Sequence, residues 1–275
     1  MKLSEIRQLL ADHQIRLTKS LGQNFLHDAH QLDRITHAAQ LSREDRVFEI
    51  GPGLGALTER LAATAKEVLA IEKDRRLCEI LNQRFSAAPN LQLVHADALE
   101  YILQPRDWSD WKMISNLPYS VASPILVELA QLPQPPKLLA ATLQLEVARR
   151  LMANPGSADY GVLTLLIQLR YQPLGFFKIP AGCFFPEPEI DSACITLQRR
   201  PDPLLPLELT PLFTRLVKRG FSQRRKMMFK LLKEEWPAGV LEKSFEGLGL
   251  DFQVRAEAVS VEKFVELTKF FILHS

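Results

Sequence analysis

The chain has 275 residues, of which 47% are hydrophobic and 24% charged, with a formal net charge of +2. That length accommodates one large domain or a large and a small one, and a near-neutral balance excludes a polycation. No apolar run reaches membrane-spanning length, which excludes a transmembrane helix, and the N-terminal MKLSEIRQLLADHQIRL has no signal-peptide core. Three distant cysteines (Cys78, Cys183, Cys194) show neither zinc spacing nor a disulfide framework, so a reduced, cytoplasmic protein is expected. His27 and His30 are three apart on an expected helix; a solvated face is favoured over a metal pair, and no metal site is expected.

In chain order, RVFEI (46–50) reads as a strand, followed by a glycine turn and the helix ALTERLAATA. EVLAI (67–71) is a second strand, followed by the helix DRRLCEILNQRF. LQLVH (91–95) and WKMIS (111–115) are a third and a fourth. PILVELAQL reads as a helix, and KLLAATLQL (137–145) holds a fifth strand. Strands alternating with helices imply right-handed crossovers and a mainly parallel sheet, whose ligands bind outside the carboxyl ends of the strands. The helix GVLTLLIQL then leads to RYQPLGFFKI and SACITLQR, which read as antiparallel edge strands. Pro201, Pro203, Pro206 and Pro211 interrupt any regular element, so a domain boundary is expected near 201, with domains 1–200 and 201–275. Beyond it the pattern reads as helical to the end. It includes eight Lys/Arg and no acid between Leu212 and Lys233, either a solvated face or a surface for phosphates.

Four strand ends carry chemistry. Gly51, Gly53 and Gly55 lie between a strand and a helix, where bare backbone admits a ligand. Their spacing is not the dinucleotide fingerprint and lacks the P-loop lysine, so a nucleoside-type cofactor is favoured over a plain tight turn. Glu72 ends the second strand, placed to accept hydrogen bonds from ribose hydroxyls; otherwise it is a surface acid beside a helix N-terminus. Asp97, at the third strand end, is an acceptor for an adenine amino group or a helix N-cap. At the fourth, ISNLPYS, the side-chain oxygen of Asn116 and the carbonyl of Leu117 can each accept one N–H of an exocyclic amine. That localises the nitrogen lone pair and aims it at an electrophile. Pro118 holds the turn, and Tyr119 offers a ring to a base taken out of its helix. The alternative is a turn with an asparagine cap and a buried tyrosine.

The motifs KSLGQNFLHD (19–28), EIGPGLGALT (49–58), IEKD (71–74), ADAL (96–99), SNLPYSVASPIL (115–126), FFPEPEIDSA (184–193) and GFSQRRKM (220–227) resemble those of the small-subunit ribosomal RNA adenine dimethyltransferases, the KsgA/RsmA group. The resemblance covers nearly the whole chain in the same order. It implies an α/β fold, a Rossmann-like class I methyltransferase with a mainly parallel seven-stranded sheet and an antiparallel edge strand, plus a small all-helical C-terminal RNA-binding domain. The implied cofactor is S-adenosylmethionine. The implied reaction places four methyl groups on N6 of two adjacent adenines near the 3′ end of 16S rRNA, in the immature 30S subunit, by a monomer with no membrane partner. Asn24, Leu26, Gly51, Glu72, Asp97 and Asn116 then line the cofactor pocket. Asn116 and Leu117 hold the target amine, Tyr119 and Phe184 sandwich the base, and Arg219, Arg224, Arg225 and Lys226 face RNA.

Two departures concern RNA contacts rather than chemistry: Leu145 stands where the family has a basic residue, and Met227-Met228 replace the usual continuation of QRRK. The large-subunit adenine methylases that confer macrolide resistance share QNFL and an N-[LIV]-P-[YF] motif. The GPG turn, DSA and QRRK favour the small-subunit group. A non-catalytic assembly factor would be expected to have lost Asn116 or the glycines, and a dinucleotide oxidoreductase does not fit the glycine spacing.

Overall fold

A computed structural model of the protein describes residues 1–15, 17 and 23–273. Lys19–Gly22 of the first motif lie outside the described residues. The chain forms two compact units, Met1–Ala148 with Pro173–Arg199, and Arg149–Gln172 with Arg200–Ser275. One break falls at the proline-rich stretch. The excursion through 149–172 has no counterpart in the single boundary expected near 201, because its first end falls inside the helical run LEVARRLM, with no proline or glycine to mark it.

In the first unit, α1 (Leu3–Asp12) and β1 (Phe25–Leu26) precede α2 (Ala29–Ala38), which starts on an Asp28 side-chain cap that accepts from the Gln31 N–H at 2.9 Å. His27 therefore precedes the helix that holds His30, and no metal-binding group of three or more His, Cys, Asp or Glu side chains occurs among the described residues. The alternation then runs β2 (Arg46–Ile50), α3 (Ala56–Thr64), β3 (Glu67–Glu72), α4 (Arg75–Arg84), β4 (Leu91–His95), α5 (Ala98–Ile102), β5 (Trp111–Asn116), α6 (Ala122–Gln131) and β6 (Leu138–Gln144). The expected strands and helices of this stretch recur within a residue or two. Two-faced burial selects Val, Ile, Leu and Ala for the inner strands, a choice legible without tertiary information.

After α7 (Leu145–Met152) and α8 (Val162–Gln168) come β7 (Tyr171–Ile179), β8 (Phe184–Phe185) and β9 (Ser192–Arg199). The seven-stranded sheet has the order β4-β3-β2-β5-β6-β9-β7. β2 to β6 pair in parallel and β9 runs antiparallel to β6, from Leu138↔Gln198 to Gln144↔Ser192. The antiparallel strand β9 thus lies one place in from the edge, with β7 outermost. β1 and β8 pair apart from this sheet, Leu26 opposite Phe184.

The order reverses between β2 and β5. Their register extends from Arg46↔Trp111 only to Phe48↔Met113, and beyond it the Ile50 N–H donates to the Ser115 hydroxyl at 2.9 Å. Parting at their carboxyl ends, these strands open a crevice at the topological switch point of a Rossmann-like sheet. Their amino ends are closed by Phe48, Trp108 and Trp111, with ring centroids 4.4 and 5.5 Å apart for the first and last pairs of that series. Below the sheet's inner strands, buried Asp45 holds Lys112 at 2.8 Å and Lys137 at 3.0 Å.

The second unit adds α9 (Thr210–Gly220), α10 (Met228–Leu232), α11 (Ala238–Gly247) and α12 (Val261–Leu273). Phe213, Leu216, Val217, Leu231, Leu232, Phe245 and Phe264 are fully buried and form its core. The basic run is not one helix: α9 ends at Gly220, and QRRK lies in the turn before α10. Buried Phe213 and Val217 on α9, and Met228 and Leu231 on α10, pull the two helices onto one core, which a continuous helix cannot do.

Candidate active site

A single cleft in the first unit is lined by Gln23, Asn24, Leu26, Glu49, Gly51, Gly53, Glu72, Lys73, Asp97, Asn116, Leu117, Pro118 and Tyr119, with Met1 and Ile6 of the N-terminal segment. The residues singled out at four strand ends therefore meet in one place.

The glycine turn shapes its floor. Gly51 (φ +67°) lies under Pro118, which a Cβ would approach to 3.3 Å. Gly53 (φ +62°) faces Phe25, and a Cβ there would come within 2.8 Å of the ring. The Gly53 N–H donates to Glu72 Oε2 at 3.2 Å, and the Asp74 N–H to Oε1 at 2.8 Å. Glu72 is 6% exposed, so it is not a surface acid; burial raises its pKa against the opposing pull of these N–H donors. With backbone N–H groups of Gly53, Lys73 and Asp74 acting on it, the carboxylate still has acceptor capacity for a further donor.

Asp97 is the N-cap of α5 and also pairs with Lys73. Oδ1 caps α5 through the Leu99 N–H at 2.9 Å, while Oδ2 faces Lys73 Nζ at 2.7 Å, an ion pair that holds the carboxyl below its usual range. Both residues line the cleft.

Asn116 ends β5, with Leu117 buried behind it. Its Nδ2 donates to the Asn24 carbonyl at 3.0 Å. The amide could not be turned over without setting two oxygens against each other, so Oδ1 is committed to the other side. Oδ1 is buried and has no hydrogen-bond partner. An unsatisfied buried acceptor costs about 1–3 kcal/mol, and one beside a cleft marks where a ligand donor belongs. Among the described residues, no N–H donates to the Leu117 carbonyl. The Tyr119 hydroxyl lies 2.5 Å from Ser192 Oγ of β9, which fixes the ring beside the cleft and gives the DSA motif a positioning role. Burial raises the Tyr119 pKa.

Phe184 is not brought to the cleft. It is 3% exposed and packs in the core cluster with Leu26 and Ile179, so its ring faces apolar neighbours rather than a base. Pairing of β8 with β1 produces this placement, and a two-residue strand pair at long range leaves no periodic signal in sequence. Conversely, Glu49, Gln23 and Met1 line the cleft without having been singled out. Glu49 had a visible sign: an acid between the apolar Phe48 and Ile50 of RVFEI, where burial normally forbids charge.

Of the expected RNA-facing residues, Arg219 pairs with Glu234 and Glu235, and Arg224 reaches Glu257 at 3.4 Å and the Ala158 carbonyl at 2.5 Å. Arg225 and Lys226 are exposed and have no acidic partner among the described residues.

The residues present fit S-adenosylmethionine: left-handed glycines leave bare backbone open, and two carboxylates and an unpartnered amide oxygen line the same cleft.

Residues 14–273 match the model of the family described as "Ribosomal RNA adenine dimethylase". The chain is 39% identical over 275 residues to the "Ribosomal RNA small subunit methyltransferase A" of Listeria welshimeri, covering 96% of this chain and 93% of that one. It is 37% identical over 273 residues to the protein of the same name from Geobacillus thermodenitrificans, covering 95% and 93%. Among solved structures, "23S rRNA methyltransferase ErmE" superposes with a TM-score of 0.69 at 28% identity, covering 90% of this chain and 98% of that one. A dimethyladenosine transferase from Plasmodium falciparum has a TM-score of 0.73 at 24% identity, covering 88% and 95%, and supports the fold. The chain belongs to the ribosomal RNA adenine dimethylase family.

Proposed function

We propose that the protein transfers four methyl groups from S-adenosylmethionine to N6 of two adjacent adenines near the 3′ end of 16S rRNA, during assembly of the 30S subunit. The relatives named as small-subunit methyltransferases support the substrate. The observation that carries the chemistry is the unpartnered Oδ1 of Asn116, held in place by Asn24.

When bound, the cofactor supplies an electrophilic methyl on a sulfonium. Glu72 accepts from the ribose hydroxyls, Asp97 accepts from the cofactor's adenine amino group, and Gly51 gives room to the methionine portion. Asn24 and Leu26 close the pocket. Asn116 Oδ1 and the Leu117 carbonyl accept the two N–H groups of the target amine. Its lone pair, otherwise delocalised into the purine, is thereby concentrated on nitrogen and directed at the methyl. The bound cofactor would supply the methyl and keep the S–C electron pair as a neutral thioether, and the alkylated nitrogen would give its proton to water. No strong base is needed. Tyr119 stacks on the flipped base, a contact worth about 1–3 kcal/mol per base. Phe184 joins it only if β8 shifts.

Arg225 and Lys226 contact RNA phosphates, while Arg219 and Arg224 share their charge between RNA and the acids they already hold. The protein works in the cytoplasm, as a monomer, on the immature 30S subunit. No helix among the described residues is long and apolar enough to cross a membrane.

Incubation of purified subunits with isotopically labelled cofactor, followed by mass spectrometry of the RNA, tests this reading. Dimethyladenine at two adjacent small-subunit positions is expected; label in large-subunit RNA would refute the assignment.

A further inference from the structure

Glu49 lies in the cofactor cleft, is 1% exposed, and takes no part in the scheme above. Its one described hydrogen bond is from the Thr58 hydroxyl of α3, 2.6 Å from Oε2. Among the described residues no Lys, Arg or His pairs with its carboxyl. Lys73, the basic side chain that lines the same cleft, is paired with Asp97. The charged group that acts on Glu49 is Glu72, another buried carboxyl of the same cleft, which disfavours its ionisation. Burial chiefly, and Glu72 next, raise the Glu49 pKa to about 8 against the Thr58 bond. Burial without a counter-ion thus favours the protonated form of Glu49 in the empty cleft.

A buried acid without a counter-ion is complementary to a cationic ligand. The cofactor carries a sulfonium; after methyl transfer the product is a neutral thioether with the same adenosine and the same amino-acid portion. We propose that Glu49 is the charge-sensing residue of this cleft: it gives its proton to solvent when the sulfonium cofactor enters and regains one when the thioether product remains, so the cleft favours cofactor over product. The carboxylate formed attracts the cation. Loss of that cation on transfer leaves a buried charge that only a proton from solvent relieves, which promotes product release between successive methylations. This rests on the proposed cofactor reading.

Calorimetric titration of the full-length protein with S-adenosylmethionine and with S-adenosylhomocysteine, at several pH values and in two buffers of different ionisation enthalpy, tests it. Both ligands carry an α-amino group, so their difference isolates the sulfonium. Near pH 7 the cofactor is expected to release about one proton more than the product. The ratio of their affinities should rise by up to about tenfold per pH unit below pH 8 and level above it. Glu49→Gln, which keeps an acceptor for Thr58, should abolish both the difference and the slope. Equal proton release by the two ligands on the unaltered protein would overturn the proposal, whether or not the variant folds. Binding of neither ligand would remove the cofactor reading and this proposal with it.

Discussion

The Asn116 amide nitrogen donates to the Asn24 carbonyl at 3.0 Å across 92 residues of sequence. That bond decides which atom of Asn116 is left without a partner beside the cleft. Asn116→Ala should retain cofactor affinity within a few-fold while the turnover rate falls by about 10²–10³, the usual effect of losing one transition-state hydrogen-bonding group. Asn116→Asp should be no better, because it sets a carboxylate oxygen against the Asn24 carbonyl. Calorimetry and single-turnover methylation at saturating cofactor check both; normal turnover would contradict the amine-polarising role.

Gly53→Ala should be destabilised by about 1–3 kcal/mol and should bind cofactor more weakly. A side chain at φ +62° is strained, and its Cβ would meet the Phe25 ring at 2.8 Å. Thermal unfolding and a binding isotherm on one preparation measure the two effects.

Stability should depend on pH through two buried acids of opposite sign. Burial raises the pKa of Asp45, but its bonds to Lys112, Lys137 and Ser42 outweigh burial and hold it down at about 2. Its contribution is present above its ordinary pKa near 3.8 and is lost as pH falls towards 2. Glu49 is raised from 4.5 to about 8, so its contribution is full below pH 4.5 and is lost as pH rises through 8. Denaturant midpoints of the cofactor-free protein should therefore fall at both ends, and Glu49→Gln should flatten only the alkaline limb. Lys112→Met, which leaves Asp45 short of a partner, should cost on the order of 3–5 kcal/mol.

Replacing Arg225 and Lys226 with Ala should lower the salt slope of RNA affinity by about 2 and leave cofactor binding unchanged. Arg219→Ala should instead lower the melting temperature, because Arg219 ties α9 to Glu234, Glu235 and the Leu231 carbonyl. Fluorescence anisotropy across a salt series separates them; an unchanged slope for the double variant would make that surface a merely solvated one.

The alternation of strands and helices, and the meeting of four strand ends in one cleft, were legible in one dimension. Burial on both faces writes apolar runs such as EVLAI, and a right-handed crossover sheet brings consecutive strand ends to one edge, so Gly51, Glu72, Asp97 and Asn116 had to converge. What only the tertiary structure decided were matters of long-range contact. Asn24 orients the Asn116 amide, β1 buries Phe184, Gly220 ends a helix that the basic run alone would continue, and residues 149–172 join a unit formed mostly by residues after 199. Each depends on partners far apart along the chain. Local periodicity reports which face of an element is apolar but not which distant group will meet it.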